Sequence, residues 1–160
     1  MISYDREKAV NYAIEWALKR NPNYYDFSLI GGDCTNFASQ ILFAGAPVMN
    51  YEKTFGWYYK SANDRAPAWT GVNEFFNFLT KNNGVGPFAK TVSFSELEIG
   101  DFVQIEKNNR FTHTLVLSKF SSGTPLFCSH SVDRLNAPLS SYYYENLRFI
   151  KILGAKTPLD

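Results

Sequence analysis

One cysteine of this sequence lies at the predicted start of a helix, directly after two glycines and Asp33. The apolar residues that follow it recur at intervals of three and four, which predicts one buried helical stripe. These residues are Phe37, Ala38, Ile41 and Leu42. Cys34 falls on the same face in the first turn, and Asp33 is its predicted N-cap. Because the helix dipole favours a thiolate there, the spacing predicts a nucleophilic cysteine.

The chain has only two histidines, and both lie on predicted strands of its second half. A cysteine hydrolase needs a base that takes the thiol proton and later protonates the leaving amine. It also needs a third polar group that orients the imidazole. We therefore predict Cys34 as the nucleophile, His113 as the base, and either His130 or Asp133 as the orienting group.

Other readings of these residues stay open. A lone cysteine is often a small buried hydrophobic residue, and a lone strand histidine is often structural. Cys34, Cys128, His113 and His130 form a nominal zinc set, although their spacing matches no zinc finger or ribbon. A Cys34–Cys128 disulfide would abolish the nucleophile. The catalytic reading is preferred, and it requires neither a metal nor a cofactor.

Helical periodicity fills the first half of the chain, and strand-type periodicity fills the second. Helices are predicted from about residue 9 to Asn21, from Cys34 to near Gly45, and over 72–79 after a Thr70 cap. Strands are predicted over 101–106, 112–119, 125–131 and 147–153. Helices followed by an antiparallel sheet indicate an α+β fold.

Length and charge narrow the class of protein. At 160 residues, we expect a single domain over 1–160 and a monomer. Lys and Arg number 16 against 15 Asp and Glu, so no net field attracts nucleic acid or an anionic membrane. No apolar run is long enough to span a membrane. Met1 leads directly into a helix pattern without a signal core, so we expect a cytoplasmic protein, or a secreted or cell-surface one if the chain is an excised domain.

Aromatic residues make up 17% of the chain, and several of them lie in the segment 48–69, which has no clear period. They could form core, or they could line a cleft for a sugar or an apolar peptide. On the second reading, Trp57 and Trp69 contact substrate and Tyr24 lies at the same cleft. A hydroxyl of Tyr24 or Tyr25 is also a candidate oxyanion donor beside the Cys34 backbone N–H.

Three stretches together resemble a known family. They are Gly-Asp-Cys-Thr-Asn-Phe-Ala-Ser-Gln at 32–40, Ile-Gly-Asp-Phe-Val at 99–103, and the strand that His113 begins. The pattern resembles the putative amidase-domain family, which is related to the NlpC-type and CHAP hydrolases of papain-like fold. The resemblance covers nearly the whole chain, including Tyr4, Trp57 and Trp69 at positions where such domains keep aromatics.

This resemblance implies a cysteine amidase or peptidase that acts on bacterial cell-wall peptides through a thioester. It implies Cys34 as the nucleophile and His113 as the base. His130 matches the third catalytic residue of NlpC-type enzymes, and Asp133 is nearest to the acidic residue that other relatives use. It also implies that the Cys34 helix packs on an antiparallel, partly barrel-like sheet. The alternative is a non-catalytic module on the same fold that binds peptide or glycan.

Overall fold

The computed structural model describes residues 1–160, and it has four helices and eight strands. The helices are α1 (Arg6–Trp16), α2 (Cys34–Gly45), α3 (Pro67–Thr70) and α4 (Val72–Lys81). The strands are β1 (Tyr59–Ser61), β2 (Asp64–Arg65), β3 (Gly86–Val92), β4 (Phe102–Lys107), β5 (Arg110–Ser121), β6 (Thr124–Ser129), β7 (Arg134–Pro138) and β8 (Asn146–Lys156). No helix is long and apolar enough to cross a membrane. The predicted α+β class is confirmed.

The main sheet is antiparallel and has six strands in the order β3-β8-β4-β5-β6-β7. β3 and β7 lie at its two edges and do not pair with each other, so the sheet is open rather than closed into a barrel. β1 and β2 form a separate two-stranded sheet. The helices pack on one face of the main sheet, where α2 meets β5 and β6.

Two apolar clusters lie on the two faces of this sheet. The larger, of 22 buried residues, joins the helices to the sheet and includes Val116 of β5. The smaller, of six buried residues, lies on the other face and includes Leu115 and Leu117. Because successive strand residues point to opposite faces, His113 shares the face of Leu115, and Thr114 shares the face of Val116. The position opposite His113 on β4 is Ile105, which also belongs to the smaller cluster.

Helix α2 is buried around most of its circumference, and not only along the predicted apolar stripe. Its polar side chains Thr35, Asn36, Ser39 and Gln40 are all at most 4% exposed. Each has a hydrogen-bond partner, as buried polar groups require. Ser39 Oγ donates to the Trp69 carbonyl (2.9 Å), and Gln40 accepts from the Tyr12 hydroxyl (2.5 Å).

Several boundaries differ from the prediction. The edge strands β3 and β7 lie outside the predicted strands, and each contains a proline, a residue that sheets confine to edges, strand starts and bulges. Helix α4 begins after Gly71 and not after a Thr70 cap. The Thr70 hydroxyl instead accepts from Arg65 Nε (3.1 Å), because residues 67–70 form the short helix α3.

The tryptophans of segment 48–69 belong to the core. Trp57 and Trp69 are both 0% exposed, and their rings are 4.7 Å apart. Trp57 Nε1 donates to Ser39 Oγ, and Trp69 Nε1 donates to Asn36 Oδ1, both at 3.0 Å. The two indoles therefore support α2 from behind and do not form an exposed wall for substrate, so the reading of the aromatic segment as core is the correct one for them.

Replacing Trp57 with alanine should lower the free energy of unfolding by about 3–5 kcal/mol, because it empties a filled core site and leaves Ser39 without its donor. Urea unfolding followed by circular dichroism measures this. Phe55→Ala is the matched control, since Phe55 is 83% exposed, and it should change stability by less than about 0.5 kcal/mol. Equal effects of the two changes would place Trp57 outside the core.

Candidate active site

Cys34 is the first residue of α2, and its side chain lies at the junction of α2 with β5. The residue is 8% exposed. The backbone N–H groups of Thr114 and Thr35 lie close to its sulfur and favour the thiolate. The Thr35 hydroxyl is 3.7 Å from Sγ and 3.0 Å from the Thr114 hydroxyl, which in turn accepts from Gln104 Nε2 (3.1 Å). The nucleophile is thereby tied to the middle of the sheet.

Burial outweighs these contacts and raises the pKa of the Cys34 thiol above its ordinary value. The negative charge of Asp33 acts in the same direction. The resting group is therefore a neutral thiol at neutral pH. The position at the helix start alone predicts a lowered pKa for Cys34, whereas burial of the sulfur and the Asp33 carboxylate raise it.

Asp33 lies at the N-cap position, but its carboxylate makes no cap bond to the helix backbone. Oδ1 accepts instead from the backbone N–H of Phe27 (2.8 Å) and from Asn36 Nδ2 (2.9 Å). Oδ2 accepts from His130 Nδ1 (2.6 Å). The carboxylate is fully buried, and its three donors come from three separate parts of the chain. Asp33 therefore joins the start of α2 to the loop before it and to the end of the sheet.

His130 forms a hydrogen bond with the Asp33 carboxylate and none with His113. Its ring is 1% exposed and stacks on Phe37 at a centroid distance of 3.7 Å and an interplanar angle of 4°. Nδ1 is occupied by Asp33, and Nε2 lies 2.8 Å from the Trp16 carbonyl. With both nitrogens engaged on the helix side of the sheet, the predicted orienting role of His130 does not fit these contacts.

Asp133 is likewise occupied elsewhere. Its two carboxylate oxygens accept from Arg20 Nη1 (2.8 Å) and Nη2 (3.0 Å). This contact favours the charged form, and the pKa of Asp133 is lowered even though burial opposes it. Arg20 also pairs with Asp26 (3.2 Å) and lies 3.6 Å from Asp33. Asp133 thus holds Arg20 in place near Asp33. It makes no hydrogen bond to His113, so it does not orient that ring in this structure.

His113 lies within β5, one residue before Thr114, and lines a cavity of about 250 Å³. Neither ring nitrogen makes a hydrogen bond to another group of the chain. Burial, together with the positive charges of Lys107 and Arg134, lowers the pKa of His113 to about 4. The resting base is therefore a neutral imidazole, which retains a free nitrogen for a proton or a ligand.

The Cys34 thiol lies near the backbone of β5 beside His113, but the two side chains do not contact each other. Thr114, whose N–H lies at the sulfur, directly follows His113, and the His113 ring points to the opposite face of the sheet. Ser131 links the two sides, because its hydroxyl accepts from the Asp33 N–H (3.1 Å) and it lines the His113 cavity. The structure thus brings the predicted pair into one region without a direct hydrogen bond between them.

The predicted oxyanion donors are only in part near the thiol. The Cys34 backbone N–H has no acceptor in the chain, as expected in the first turn of a helix, and remains available. The Tyr24 ring stacks on Trp69 with a centroid distance of 6.1 Å and packs against Tyr59 at 5.0 Å. The hydroxyls of Tyr24 and Tyr25 make no hydrogen bond that ties them to Cys34. Tyr24 is therefore half-buried packing behind α2, and its substrate role stays a prediction.

Comparison with known proteins agrees with the sequence pattern. The profile of the family described as Putative amidase domain matches residues 3–153. The chain belongs to this family. Uncharacterized protein YhbB of Bacillus subtilis (strain 168) is 34% identical to the amidase domain over 135 residues, which cover 81% of the chain and 42% of YhbB. Uncharacterized protein YjcM of the same organism is 27% identical over 144 residues, covering 84% and 32%. No solved structure matches the chain.

The chain spans less than half the length of these two relatives. The structure supports neither the Cys34–Cys128 disulfide nor the zinc set that the sequence left open. Cys34 and Cys128 are both free thiols, and no group of three or more His, Cys, Asp or Glu side chains could hold a metal ion. Cys128 is fully buried on β6.

Sequence reasoning missed the residues that hold the nucleophile in place. Thr35 and Asn36 follow Cys34 directly and are buried, as is Gln104 in the strand after Gly100. Polar residues at several consecutive positions of a short helix were the available signal, since an ordinary surface helix keeps one apolar face. Ser131 and Arg20 carried no signal, because their partners are distant in sequence.

The low pKa of His113 predicts a pH dependence of stability. An unfolded histidine has a pKa near 6.5 and the folded one a pKa of about 4, so the native state binds fewer protons between these values. The free energy of unfolding should therefore be highest above pH 6.5 and fall by about 2–3 kcal/mol as the pH drops to 4. Urea unfolding across this range, compared with His113→Gln, isolates the contribution. Identical pH profiles of the two proteins would contradict it.

The Asp33–His130 pair predicts strong energetic coupling. His130→Ala should lower the free energy of unfolding by about 3–5 kcal/mol, because it removes the donor to Oδ2 of a buried carboxylate and empties the buried site of the ring. The double change with Asp33→Asn should lose clearly less than the sum of the single changes. Asp26→Asn is the control, since Asp26 is 47% exposed in the same network and should cost less than about 1 kcal/mol. Additive effects at Asp33 and His130 would show that the pair does not hold the site.

Proposed function

We propose that this amidase domain is a cysteine-dependent amide hydrolase with a papain-like arrangement, in which Cys34 is the nucleophile and His113 the base. The observation that carries the proposal is the position of the thiol, at the N-terminus of a helix and against the backbone of the residue that follows His113. The family's description as an amidase supports the reaction class. An antiparallel sheet behind the nucleophile helix is consistent with the papain-like arrangement.

The proposed reaction runs through a thioester. His113 takes the proton from Cys34 Sγ as the sulfur attacks the carbonyl carbon of the amide. The tetrahedral oxyanion accepts from the Cys34 backbone N–H, a type of contact typically worth about 3 kcal/mol. The C–N bond then breaks, and the amine leaves with the proton held by His113. Water next attacks the thioester with His113 as base, which releases the carboxylic acid and restores the thiol.

This reaction requires the His113 ring to turn toward the thiol. Residues 110–115 of β5 pair with β4 only, because the pairing of β5 with β6 begins at Val116. The register of β4 with β5 also shifts between Ile105 and Glu106, opposite residues 111–113. Such a bulge re-aims the neighbouring side chains and loosens the ladder. His113 therefore lies beside a bulge, in a stretch of β5 that pairs on one side only, and the proposed turn of the ring takes place there.

A second candidate is a binding module that retains the fold without catalysis. The specific observation in its favour is the electrostatics of the resting site, where burial keeps both the thiol and the imidazole neutral. A neutral pair that faces opposite sides of the sheet is what an inactive relative would also show. In that case the His113 cavity would hold a ligand and Cys34 would be structural.

Cell-wall peptides are the proposed substrate class, following the resemblance to NlpC-type and CHAP hydrolases. The test is to incubate the protein with purified peptidoglycan fragments and to follow release of free amine by mass spectrometry. Cys34→Ala should reduce kcat/KM by roughly 10³-fold or more, because it removes the nucleophile. Cys128→Ala is the control, since Cys128 contributes no group to the site, and should retain activity.

Equal activity of wild type and Cys34→Ala would overturn the cysteine mechanism. Binding of the fragments without any release of amine, unchanged in Cys34→Ala, would favour the binding module. Cleavage of generic peptides but not of peptidoglycan fragments would keep the mechanism and replace the proposed substrate.

A further inference from the structure

The cavity beside His113 is positively charged. Its volume of about 250 Å³ is bounded by β4, β5, β7 and the segment before β8, and two of its lining side chains are Lys107 and Arg134. No Asp or Glu lines it. The other polar side chains of the lining include the hydroxyls of Ser131, Tyr142 and Tyr143. The cavity therefore offers two cations and several hydroxyl donors, and it offers no anion.

Lys107 and Arg134 contact aromatic rings and a backbone carbonyl, and neither forms an ion pair with a carboxylate. Lys107 Nζ lies 5.5 Å from the centre of the Tyr143 ring, and the Arg134 guanidinium lies 5.2 Å from that of Tyr142. Arg134 Nη2 also donates to the Ser141 carbonyl (3.1 Å). Neither cation lies within 4.0 Å of a carboxylate oxygen. Both residues are half-buried and line the cavity, so their charges lie at its wall.

We propose that this cavity binds a carboxylate of the substrate, on the side where Ser131 lines it and accepts from the N–H of Asp33, the residue directly before Cys34. The inference rests on the proposed function, and it deepens it by naming the substrate class as a peptide with a free carboxylate. The volume is below the 300–1,000 Å³ of pockets that enclose whole ligands, so it suits one small residue. Arginine and lysine with hydroxyl donors are the groups that recognise a carboxylate.

An anion in this cavity would also prepare the base. The charges of Lys107 and Arg134 now oppose protonation of His113, and a bound carboxylate would offset them. Burial would still hold the pKa of His113 below its ordinary value, but the part of the lowering that Lys107 and Arg134 cause would be offset, so the pKa would rise and the imidazole would become a better proton acceptor. A neutral substrate would leave the base weak. The same subsite would therefore select the substrate and activate the residue that acts on it.

The test uses N-acetylglycine and its neutral analogue N-acetylglycinamide as probes, with the Cys34→Ala protein so that nothing is consumed. NMR titration of the His113 ring protons reports both binding and pKa. N-acetylglycine should bind and raise the pKa of His113, whereas N-acetylglycinamide should do neither. The K107M/R134M double variant should weaken binding of N-acetylglycine by about tenfold or more, equivalent to about 1.4 kcal/mol.

Two variants control for charge and folding. K60M removes a lysine that lies 5.3 Å from the Tyr51 ring outside the cavity, and it should bind as the parent does. K107R/R134K keeps both charges and should bind within a few-fold of the parent. Equal binding of the two probes, or unchanged binding of N-acetylglycine in K107M/R134M, would overturn the proposal. Binding of inorganic phosphate but not of N-acetylglycine would overturn it as well.

Separate results would refute the proposed carboxylate subsite and the proposed cysteine-dependent hydrolysis. Turnover that depends on Cys34 but is equal for peptides with a free carboxylate and for their amides would remove the subsite and keep the reaction. Selective binding of N-acetylglycine without any turnover that depends on Cys34 would keep the subsite and remove the reaction.

Discussion

The buried carboxylate of Asp33 accepts hydrogen bonds from Phe27, Asn36 and His130, and these contacts determine where the first turn of α2 lies. An unpaired charge in such a place would cost several kcal/mol, so each donor is required and each constrains the chain that carries it. His130 brings the end of β6 to this point. The buried charge one residue before Cys34 therefore places the start of α2, and the contacts of Thr35 with the thiol and with Thr114 then hold the sulfur against β5.

The same burial that fixes the site also sets its chemistry. Removal from water keeps the thiol protonated and the imidazole of His113 neutral, so the resting domain holds no thiolate–imidazolium pair. A reaction would then begin only when a ligand changes the field around the base. Lys107 and Arg134 make the cavity suitable for such a ligand, since their charges act on His113 and have no partner in the chain.

Local patterns in the sequence predict the helix that begins at Cys34, four of the six strands of the main sheet and the α+β class. They could not predict which side chains meet, because contacts such as Asp33–His130 join residues 97 positions apart. The aromatic segment misled for a related reason. From the sequence alone, Trp57 could equally line a cleft or lie in the core. The structure shows that its indole N–H donates to Ser39 on the buried polar face of α2, a contact that local patterns do not reveal.

The most direct test of the account is a crystal structure of the protein treated with an N-acetyl-peptide aldehyde that carries a free carboxylate. The account predicts a hemithioacetal on Cys34 Sγ, with a ring nitrogen of His113 within about 3.2 Å of the sulfur or of the new hydroxyl oxygen. The free carboxylate should lie between Lys107 and Arg134. An adduct on Cys34 with the His113 ring still on the far face of the sheet, or no adduct on Cys34, would contradict it.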